Sequence, residues 1–429
     1  MRRARVLRLV GAGVIAVLAI TLGGLAPTRA AGPIQLTYWF PVDLGGGLAT
    51  VMQTLVTEFN QTHPGIHVTA VYTGNYDATL QKIQAAQLAG SLPDVAVVVH
   101  DHTQVLAPTG ILEDLDGFIA KAGGKAYLDR FFPAFLLNSY YKGKIYSLPY
   151  QRSVPVLYYN KDALREAGIA HPPTTWSELI ADAQKLTVRQ GNEVTRWGVE
   201  FPLEAYNWIY YALVYEAGGQ IISPDLKHLY LDQPAAIRAM QFWWDLVNTY
   251  KVMPPYTPWT QGSQDFVAQK TAMVVYSSGS QAFFRQSAKF SWSLTRIPKD
   301  KRYGVATGGG SLVLFKKPHD QEEAAWTFAS WMVEPRQTAY WSIHSGYIAV
   351  MKEAWDLPEM KALVKEHPEV LITVQQLKDA YFEPSAPNFT QIRDMLHDAI
   401  QDILANKVPL RQALAEVNAK GNAILAKNP

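Results

Sequence analysis

The segment Val95–Val99 reads Val-Ala-Val-Val-Val, which is typical of a strand buried on both faces of a parallel sheet. Before it, residues 34–38 alternate between apolar and polar and predict a first strand, and residues 66–72 predict a second. Apolar residues at three- and four-residue spacing predict helices over 48–59 and 77–89. This order predicts an α/β fold with a doubly wound start, in which ligands bind beyond the carboxyl ends of the strands.

The rest of the chain predicts a second α/β unit that begins near residue 145. Thr175-Trp-Ser-Glu178 is a capping box at the start of one helix, and Pro234 opens another over residues 235–250. An apolar stripe over residues 392–403 predicts a further helix near the end of the chain. A length of 429 residues is too great for one typical domain, so we expect two lobes.

Residues 1–30 have the composition of a secretory signal peptide. Arg2, Arg3, Arg5 and Arg8 precede an apolar run, and Thr28-Arg-Ala30 has the small residues of a cleavage site. The run is near the lower length limit of a membrane span, so an uncleaved anchor is the alternative. The chain contains no cysteine, which excludes disulfides and a lipidated cysteine. We expect an unlipidated protein exported to the periplasm or another extracytoplasmic space.

Charge and motif content exclude several functions. Removal of the leader, which carries five Arg and no acidic residue, changes the net charge from +2 to about 2 − 5 = −3. No Lys/Arg run is left to neutralise a row of phosphates, so nucleic acid is not an expected partner. The sequence lacks a P-loop, a nucleophile elbow and a dinucleotide fingerprint. His100-Asp-His102 has no identifiable third ligand, so we expect no metal and no cofactor.

Several motifs, found in order along the chain, resemble those of a known family. They are Tyr158-Tyr-Asn-Lys-Asp162, Pro172-Pro-Thr-Thr-Trp176 and Phe266-Val-Ala-Gln-Lys-Thr-Ala-Met273, with Gln269 where a Gly is usual. The chain in this respect resembles family 1 extracellular solute-binding proteins. The resemblance implies a two-lobed periplasmic-binding-protein-like fold with hinge crossover strands. It further implies a non-catalytic monomer that delivers a small-molecule ligand to an ABC transporter permease pair with its ATPase.

The family pattern also implies lobe boundaries. We expect residues 33–143 plus 278–343 to form lobe 1, and residues 144–277 plus 344–429 to form lobe 2. Closure of these lobes on a ligand would give the closed state contacts that the open state lacks.

Within the family, the chain is most similar to the sn-glycerol-3-phosphate-binding subgroup. The resemblance implies ligand contacts at Tyr76, Ser153, Ser277, Gly309, Tyr347 and Arg393. The subgroup's acidic contact to the glycerol hydroxyls falls on His100 or, with a one-residue shift, on Asp101. The expected ligand is a glycerol phosphoester, either sn-glycerol 3-phosphate or a glycerophosphodiester.

The chemistry of these residues suits a phosphate group. Ser277-Ser-Gly-Ser280 lies between an apolar strand and a predicted helical stretch over 281–290, where hydroxyls and backbone N–H groups can donate to an anion. Gly308–Gly310 can form a backbone nest, and Arg393 offers a guanidinium fork. Taken alone, such features are more often a helix cap, a turn and a surface arginine. Their coincidence with the family pattern favours the binding role.

Two other functions stay open from the sequence. An oligosaccharide-binding protein of a sugar importer would use aromatic stacking platforms, for which Tyr206 and Trp208 are candidates at the border of the cleft. Core packing is the alternative role for both side chains. A secreted hydrolase with a pair of carboxylates would leave no local signature and is the second alternative.

Overall fold

We describe the chain from a computed structural model, which describes residues 32–41, 47–203 and 207–427. The predicted signal peptide and Tyr206 lie outside these described residues. Within them the strands are Ile34–Phe40 (β1), Ile66–Tyr72 (β2), Val95–Val99 (β3), Tyr140–Tyr141 (β4), Lys144–Ile145 (β5), Ser147–Ser153 (β6), Pro155–Asn160 (β7), Val188–Gln190 (β8), Glu193–Arg196 (β9), Met273–Ser277 (β10), Trp292–Thr295 (β11), Val305–Ala306 (β12), Gly308–Leu314 (β13) and Ala380–Tyr381 (β14).

The α-helices of the same residues fall between and after these strands. They are Leu48–Thr62 (α1), Tyr76–Ala89 (α2), His102–Leu106 (α3), Asp116–Lys121 (α4), Lys125–Leu128 (α5), Pro133–Leu136 (α6), Lys161–Glu166 (α7), Trp176–Leu186 (α8), Trp208–Glu216 (α9), Pro234–Asn248 (α10), Trp259–Val267 (α11), Gln281–Ser287 (α12), His319–Met332 (α13), Pro335–Ser345 (α14), Pro358–Glu366 (α15), Val370–Gln375 (α16), Phe389–Leu404 (α17) and Leu410–Leu425 (α18).

The larger sheet has five strands in the order β2-β1-β3-β13-β6. β1 pairs in parallel with both β2 and β3, as the strand and helix alternation predicts. β13 runs antiparallel between β3 and β6, so the sheet is mixed and not purely parallel. Val95, Val97 and Val99 pack into one hydrophobic cluster, and Ala96 and Val98 pack into another. This confirms that β3 is buried on both faces.

A second, antiparallel sheet has three strands in the order β10-β7-β11. Leu157 of this sheet packs in a second core, whereas its neighbour Tyr158 packs in the first. The second core also includes residues of α8, α10 and α17, among them Trp176, Trp243 and Ile400. The first core surrounds the larger sheet and includes Tyr38 and Phe328. These two cores confirm the predicted two-lobed α/β fold.

Three crossover segments connect the two cores. In the first, Val154 alone separates β6 from β7. In the second, Thr307 alone separates β13 from β12, whose Ala306 packs in the second core. The third, residues 382–388, joins β14 to α17. The lobe boundaries at residues 143/144, 277/278 and 343/344 stay a prediction.

Local signals explain most helix ends. The predicted capping box is present, because Glu178 N donates to Thr175 Oγ1 at 3.2 Å. The predicted helical stretch over 281–290 is too long, since α12 ends before Ala288, which is extended. That exit lets Phe290 pack edge-on against Phe266, with 5.3 Å between the ring centroids.

Candidate functional site

The predicted ligand-binding residues converge where the crossover segments meet the larger sheet. Ser153 is the last residue of β6 and pairs with Gly308, the first residue of β13. His100 directly follows β3, and its backbone N donates to Gly309 O at 3.1 Å. The ends of β3 and β6 and the start of β13 therefore meet around the Gly308–Gly310 segment, and we call this region the candidate site.

Gly309 occupies a conformation and a space that only glycine fits. Its φ is +89°, and a Cβ there would lie 1.7 Å from Gln151 O and 3.2 Å from Tyr347 Cε1. A Cβ at Gly310 would approach the Tyr76 hydroxyl to 3.1 Å. The glycine segment thus lets Tyr76 and Tyr347 pack directly against the backbone of the second crossover.

Tyr76 is placed by a helix cap. Asn75 Oδ1 accepts from Ala78 N at 2.8 Å and starts α2 at Tyr76. The Tyr76 hydroxyl then donates to Gln151 Oε1 at 3.1 Å. This hydrogen bond links the start of α2 to β6, one residue before Arg152.

Arg393 reaches the same helix start from α17. Its Nη2 lies 3.1 Å from Asp77 Oδ1, and its Nε lies 3.4 Å from Asp394 Oδ1. The Arg393 side chain is only 5% exposed. It is therefore not the solvated surface arginine that its helix position alone would favour. Its ion-pair partner Asp77 directly follows Tyr76 in α2.

His100 makes two polar contacts through its ring. Nδ1 lies 2.8 Å from Gly309 O, and Nε2 lies 2.5 Å from Glu383 Oε2 on the third crossover. Burial together with the nearby Arg152 cation lowers the pKa of His100 to about 3. Asp101, the next residue, is buried, and its Oδ1 has no hydrogen-bond partner in the described part of the chain.

Ser277 joins the site from the second sheet. Its Oγ accepts from Gly279 N at 3.0 Å, which leaves the hydroxyl hydrogen available for a ligand. The neighbouring Ser278 Oγ accepts from Val154 N at 3.2 Å in the first crossover. A Cβ at Gly346 would lie 2.7 Å from Ser278 O. The backbone at Ser278 therefore packs directly against Gly346, the residue before Tyr347.

Trp208 borders the glycine segment from α9. A Cβ at Gly308 would lie 2.5 Å from Trp208 Cζ2, so the indole ring lies directly on this glycine. The indole Nε1 donates to Ala306 O at 2.9 Å, which fixes the ring against the second crossover. Trp208 is thus next to the predicted site, whereas Tyr206 lies outside the described residues.

Sequence reasoning missed two buried residues of this region, Arg152 and Glu383. Arg152 follows Gln151 in β6 and is fully buried, and its Nη2 donates to Thr307 Oγ1 at 2.6 Å. Its Nε and Nη1 have no hydrogen-bond partner among the described residues. Burial lowers the pKa of Arg152 to about 10, so the guanidinium stays charged at neutral pH.

The guanidinium groups of Arg152 and Arg393 both affect the pKa of Glu383. Burial raises the pKa of Glu383 to about 8, and Arg152 and Arg393 both oppose that shift. Arg152 comes from β6 and Arg393 from α17, so two positive groups from different segments lie near Glu383. This combination of buried donors with the acceptor Asp101 can hold an anion that also carries hydroxyl groups.

Within residues 32–41, 47–203 and 207–427, no group of three or more His, Cys, Asp or Glu side chains is arranged to hold a metal ion. Over the same ranges, every helix is too short or too polar to span a bilayer.

The sequence matches known proteins along most of its length. Residues 54–370 match the family described as bacterial extracellular solute-binding protein. The chain is 24% identical over 431 residues to the sn-glycerol-3-phosphate-binding periplasmic protein UgpB of Escherichia coli O1:K1 / APEC, covering 95% of this chain and 96% of that protein. It is 26% identical over 423 residues to a putative binding protein of Brucella abortus strain 2308, covering 97% and 98%.

Solved structures share the fold. UgpB from Mycobacterium tuberculosis in complex with glycerophosphocholine superposes with a TM-score of 0.80 at 22% identity, covering 92% of this chain and 99% of that chain. An ABC substrate-binding protein from Listeria monocytogenes in complex with cycloalternan gives a TM-score of 0.81 at 21% identity, with coverages of 92% and 99%. The shared architecture therefore includes proteins crystallised with chemically different ligands.

Proposed function

Because the chain belongs to the bacterial extracellular solute-binding protein family, we propose that it captures a glycerol phosphoester for an ABC importer. The ligand is sn-glycerol 3-phosphate or a glycerophosphodiester. It binds between the two lobes without a chemical reaction and is delivered to a permease pair with its ATPase. Residues 1–30 export the protein, and it works as an unlipidated monomer outside the cytoplasm.

The observation that carries this proposal is the pair of buried guanidinium groups. Arg152 and Arg393 both face the region of Glu383, and the buried Asp101 lies close enough to raise the pKa of Arg152 against the effect of burial. Two or three charge-assisted hydrogen bonds, at roughly 1.5–3 kcal/mol each, could supply much of the free energy of micromolar capture. A phosphate group suits the guanidinium groups, and glycerol hydroxyls suit Asp101.

The remaining contacts are assigned by position. We assign Tyr76, Ser153, Ser277, Gly309 and Tyr347 as further ligand contacts. Ser153 pairs with Gly308, Tyr76 and Tyr347 lie next to the glycine segment, and the Ser277 hydroxyl offers a donor. The names of two relatives support this assignment, since one is a glycerol-3-phosphate-binding protein and another is complexed with glycerophosphocholine. Arg393 from the second core already lies 3.1 Å from Asp77 of α2, so its guanidinium is in place before the ligand binds.

An oligosaccharide is the second candidate ligand, and one observation favours it. The Trp208 ring lies on Gly308, and its centroid is 6.4 Å from that of Trp259, so two indoles border the site. Aromatic rings of this kind can stack on sugars. A relative in this fold is complexed with cycloalternan.

A thermal-shift panel separates the two candidates. The protein is melted with sn-glycerol 3-phosphate, glycerophosphocholine, maltose or plain glycerol at equal concentration. A ligand at about one hundred times its Kd stabilises the folded protein by roughly 2.7 kcal/mol, which raises the melting temperature. We expect a shift with the phosphoesters alone. A shift with maltose alone would overturn the phosphoester in favour of a sugar.

A further inference from the structure

Three tyrosines of the buried helix α9 differ in what their hydroxyl groups contact. The Tyr210 hydroxyl donates to Ala236 O at 3.0 Å, and the Tyr215 hydroxyl donates to Phe382 O at 2.7 Å. Tyr211 is similarly buried, at 1% exposure, but its hydroxyl has no hydrogen-bond partner in the part of the chain that the structure describes. Because a buried hydroxyl without a partner is costly, the Tyr211 hydroxyl indicates a partner from outside the chain.

Asn207 presents a second such atom one helical turn earlier. Its backbone O accepts from Tyr211 N at 3.1 Å, and the two side chains are neighbours. Asn207 Nδ2 donates to Arg393 O at 2.9 Å, and since a carbonyl oxygen only accepts, this contact fixes which end of the amide is the nitrogen. The other end, Oδ1, is buried and has no partner among the described residues. Asn207 therefore offers an acceptor.

Both atoms belong to the candidate site. The backbone of Arg393 holds the Asn207 amide. Burial raises the pKa of Tyr211, and the charged groups of Glu383, Arg393 and Asp101 lie close enough to its hydroxyl to affect that pKa as well. The Asn207 side chain lies beside the Tyr211 hydroxyl, but the two lack the geometry of a direct hydrogen bond. The pair is thus placed next to Asp101, the predicted contact of the glycerol hydroxyls.

The combination of one donor and one acceptor selects the chemistry of the group that binds there. A hydroxyl group can accept one hydrogen bond and donate another. An ionised phosphate oxygen only accepts, so Asn207 Oδ1 would repel it, and a quaternary ammonium has no hydrogen to donate. Among the groups of the proposed ligands, a hydroxyl is therefore the one that satisfies both atoms.

We propose that Asn207 and Tyr211 form a subsite that binds one hydroxyl group of the ligand. The ligand hydroxyl accepts a hydrogen bond from the Tyr211 hydroxyl and donates one to Asn207 Oδ1. The buried Asp101 Oδ1, which also has no partner among the described residues, accepts from the second hydroxyl of glycerol. The assignment to glycerol rests on the proposed function, in which Arg152 and Arg393 hold the phosphate.

The subsite makes α9 a determinant of specificity. A phosphoester with a plain alkyl chain in place of glycerol would leave the Tyr211 hydroxyl and Asn207 Oδ1 buried and unpaired. A site built to hydrogen-bond a hydroxyl rejects the analogue that lacks it for this reason. We therefore expect the protein to discriminate glycerol phosphoesters from alkyl phosphoesters.

The first test uses thermal melts of the ligand-free protein. Tyr211→Phe removes a hydroxyl without an internal partner, so its melting temperature should stay within about 1 °C of the wild type. Tyr210→Phe is the matched control in the same helix, and it should melt about 2–4 °C lower because its hydroxyl loses a hydrogen bond. An equal fall for both variants would overturn the proposal, since the Tyr211 hydroxyl would then be satisfied within the protein.

The second test measures binding by calorimetric titration with two probes. Glycerophosphocholine carries both glycerol hydroxyls, and propylphosphocholine keeps the phosphodiester and the choline but has neither hydroxyl. For Tyr211→Phe we expect the Kd of glycerophosphocholine to rise about fivefold and that of propylphosphocholine to stay unchanged. Tyr210→Phe should leave both values unchanged. Equal Kd values of the two variants for glycerophosphocholine would overturn the subsite.

A second variant tests the acceptor. Glycine suits the φ of +56° at position 207, so Asn207→Gly removes the side chain without backbone strain. The variant also loses the bond to Arg393 O, which affects both probes alike. We expect a larger rise in Kd for glycerophosphocholine than for propylphosphocholine. The same factor for both probes would remove Asn207 from the subsite.

Failure of the subsite and failure of the proposed function give different results. If the wild type binds maltose and no phosphoester, the phosphoester is wrong, and the same variants are titrated with maltose, whose groups are mostly hydroxyls. Tyr211→Phe should then still weaken binding more than Tyr210→Phe does. Identical Kd values for these two variants would overturn the subsite with either ligand, and the melts require no ligand at all.

Discussion

Arg393 Nη2 and Asp77 Oδ1 form an ion pair at 3.1 Å, and this pair joins α17 to the first turn of α2. Ile392 of α17 packs in the second core, whereas Tyr76 of α2 packs in the first. The pair thus bridges the two cores next to the predicted ligand contacts. It also means that the guanidinium is held in place and partly neutralised before a phosphate arrives.

Loss of this guanidinium should weaken phosphoester binding. For Arg393→Gln we expect at least about a tenfold rise in Kd, or roughly 1.4 kcal/mol, measured by calorimetric titration with glycerophosphocholine. Arg411→Gln, at an exposed position on α18, is the matched control and should leave Kd unchanged. An unaltered Kd for Arg393→Gln would remove Arg393 from the site.

Removing the negative charge of Asp77, the partner of Arg393, should strengthen the binding of an anionic ligand. Asp77→Asn keeps a side-chain oxygen near Arg393 but removes the charge that competes with the ligand. We expect a few-fold lower Kd for an anionic ligand, in the range of about 0.5–1 kcal/mol for a partly exposed ion pair. If Asp77→Asn weakened binding as much as Arg393→Gln, the carboxylate itself would be the ligand contact.

Gly309→Ala should destabilise the protein and abolish binding. The residue has φ +89°, and the added Cβ would meet Gln151 O, so strain of about 1–3 kcal/mol or more is expected. Gly117→Ala in α4 is the control, because a Cβ there meets nothing within 4 Å. Thermal melts of both variants provide the measurement. Equal melting temperatures would contradict the assigned backbone conformation.

Glu200→Gln should raise stability only at higher pH. Burial raises the pKa of Glu200 to about 8 from its ordinary 4.5. A raised folded-state pKa gives stability that is present below pH 4.5 and lost as the pH rises through 8. The variant escapes that loss, so its gain in melting temperature over the wild type should grow between pH 4.5 and 8. The exposed Glu193→Gln should show no such trend.

Local patterns were enough to predict much of the fold. The apolar run of β3, the capping box at Thr175 and the stripe of α17 each depend on neighbours within one strand or helix. The antiparallel β13 was not predicted, because its partners β3 and β6 are far away in sequence. Strand order of that kind is set by packing and not by local periodicity.

Some residues of the candidate site could likewise be predicted from the sequence, and others could not. The glycine segment could be named from its own motif, since a glycine turn leaves a local signal. Tyr76 was placed in the site by the resemblance to the subgroup and not by a local signal. Arg152 and Glu383 carry no such signal: each is one charged residue, and its burial depends on distant segments. Position 100 could not be judged alone either, because the carboxyl group that contacts it comes from the third crossover.

Binding of a phosphorylated glycerol by the buried guanidinium groups can be measured directly. Its most direct test is a calorimetric titration of the purified protein with glycerophosphocholine and sn-glycerol 3-phosphate, with maltose in parallel. We expect a Kd in the micromolar range or below for at least one phosphoester, about −8 kcal/mol or stronger, and no heat of binding with maltose. Saturable binding of maltose together with no binding of either phosphoester would contradict the account.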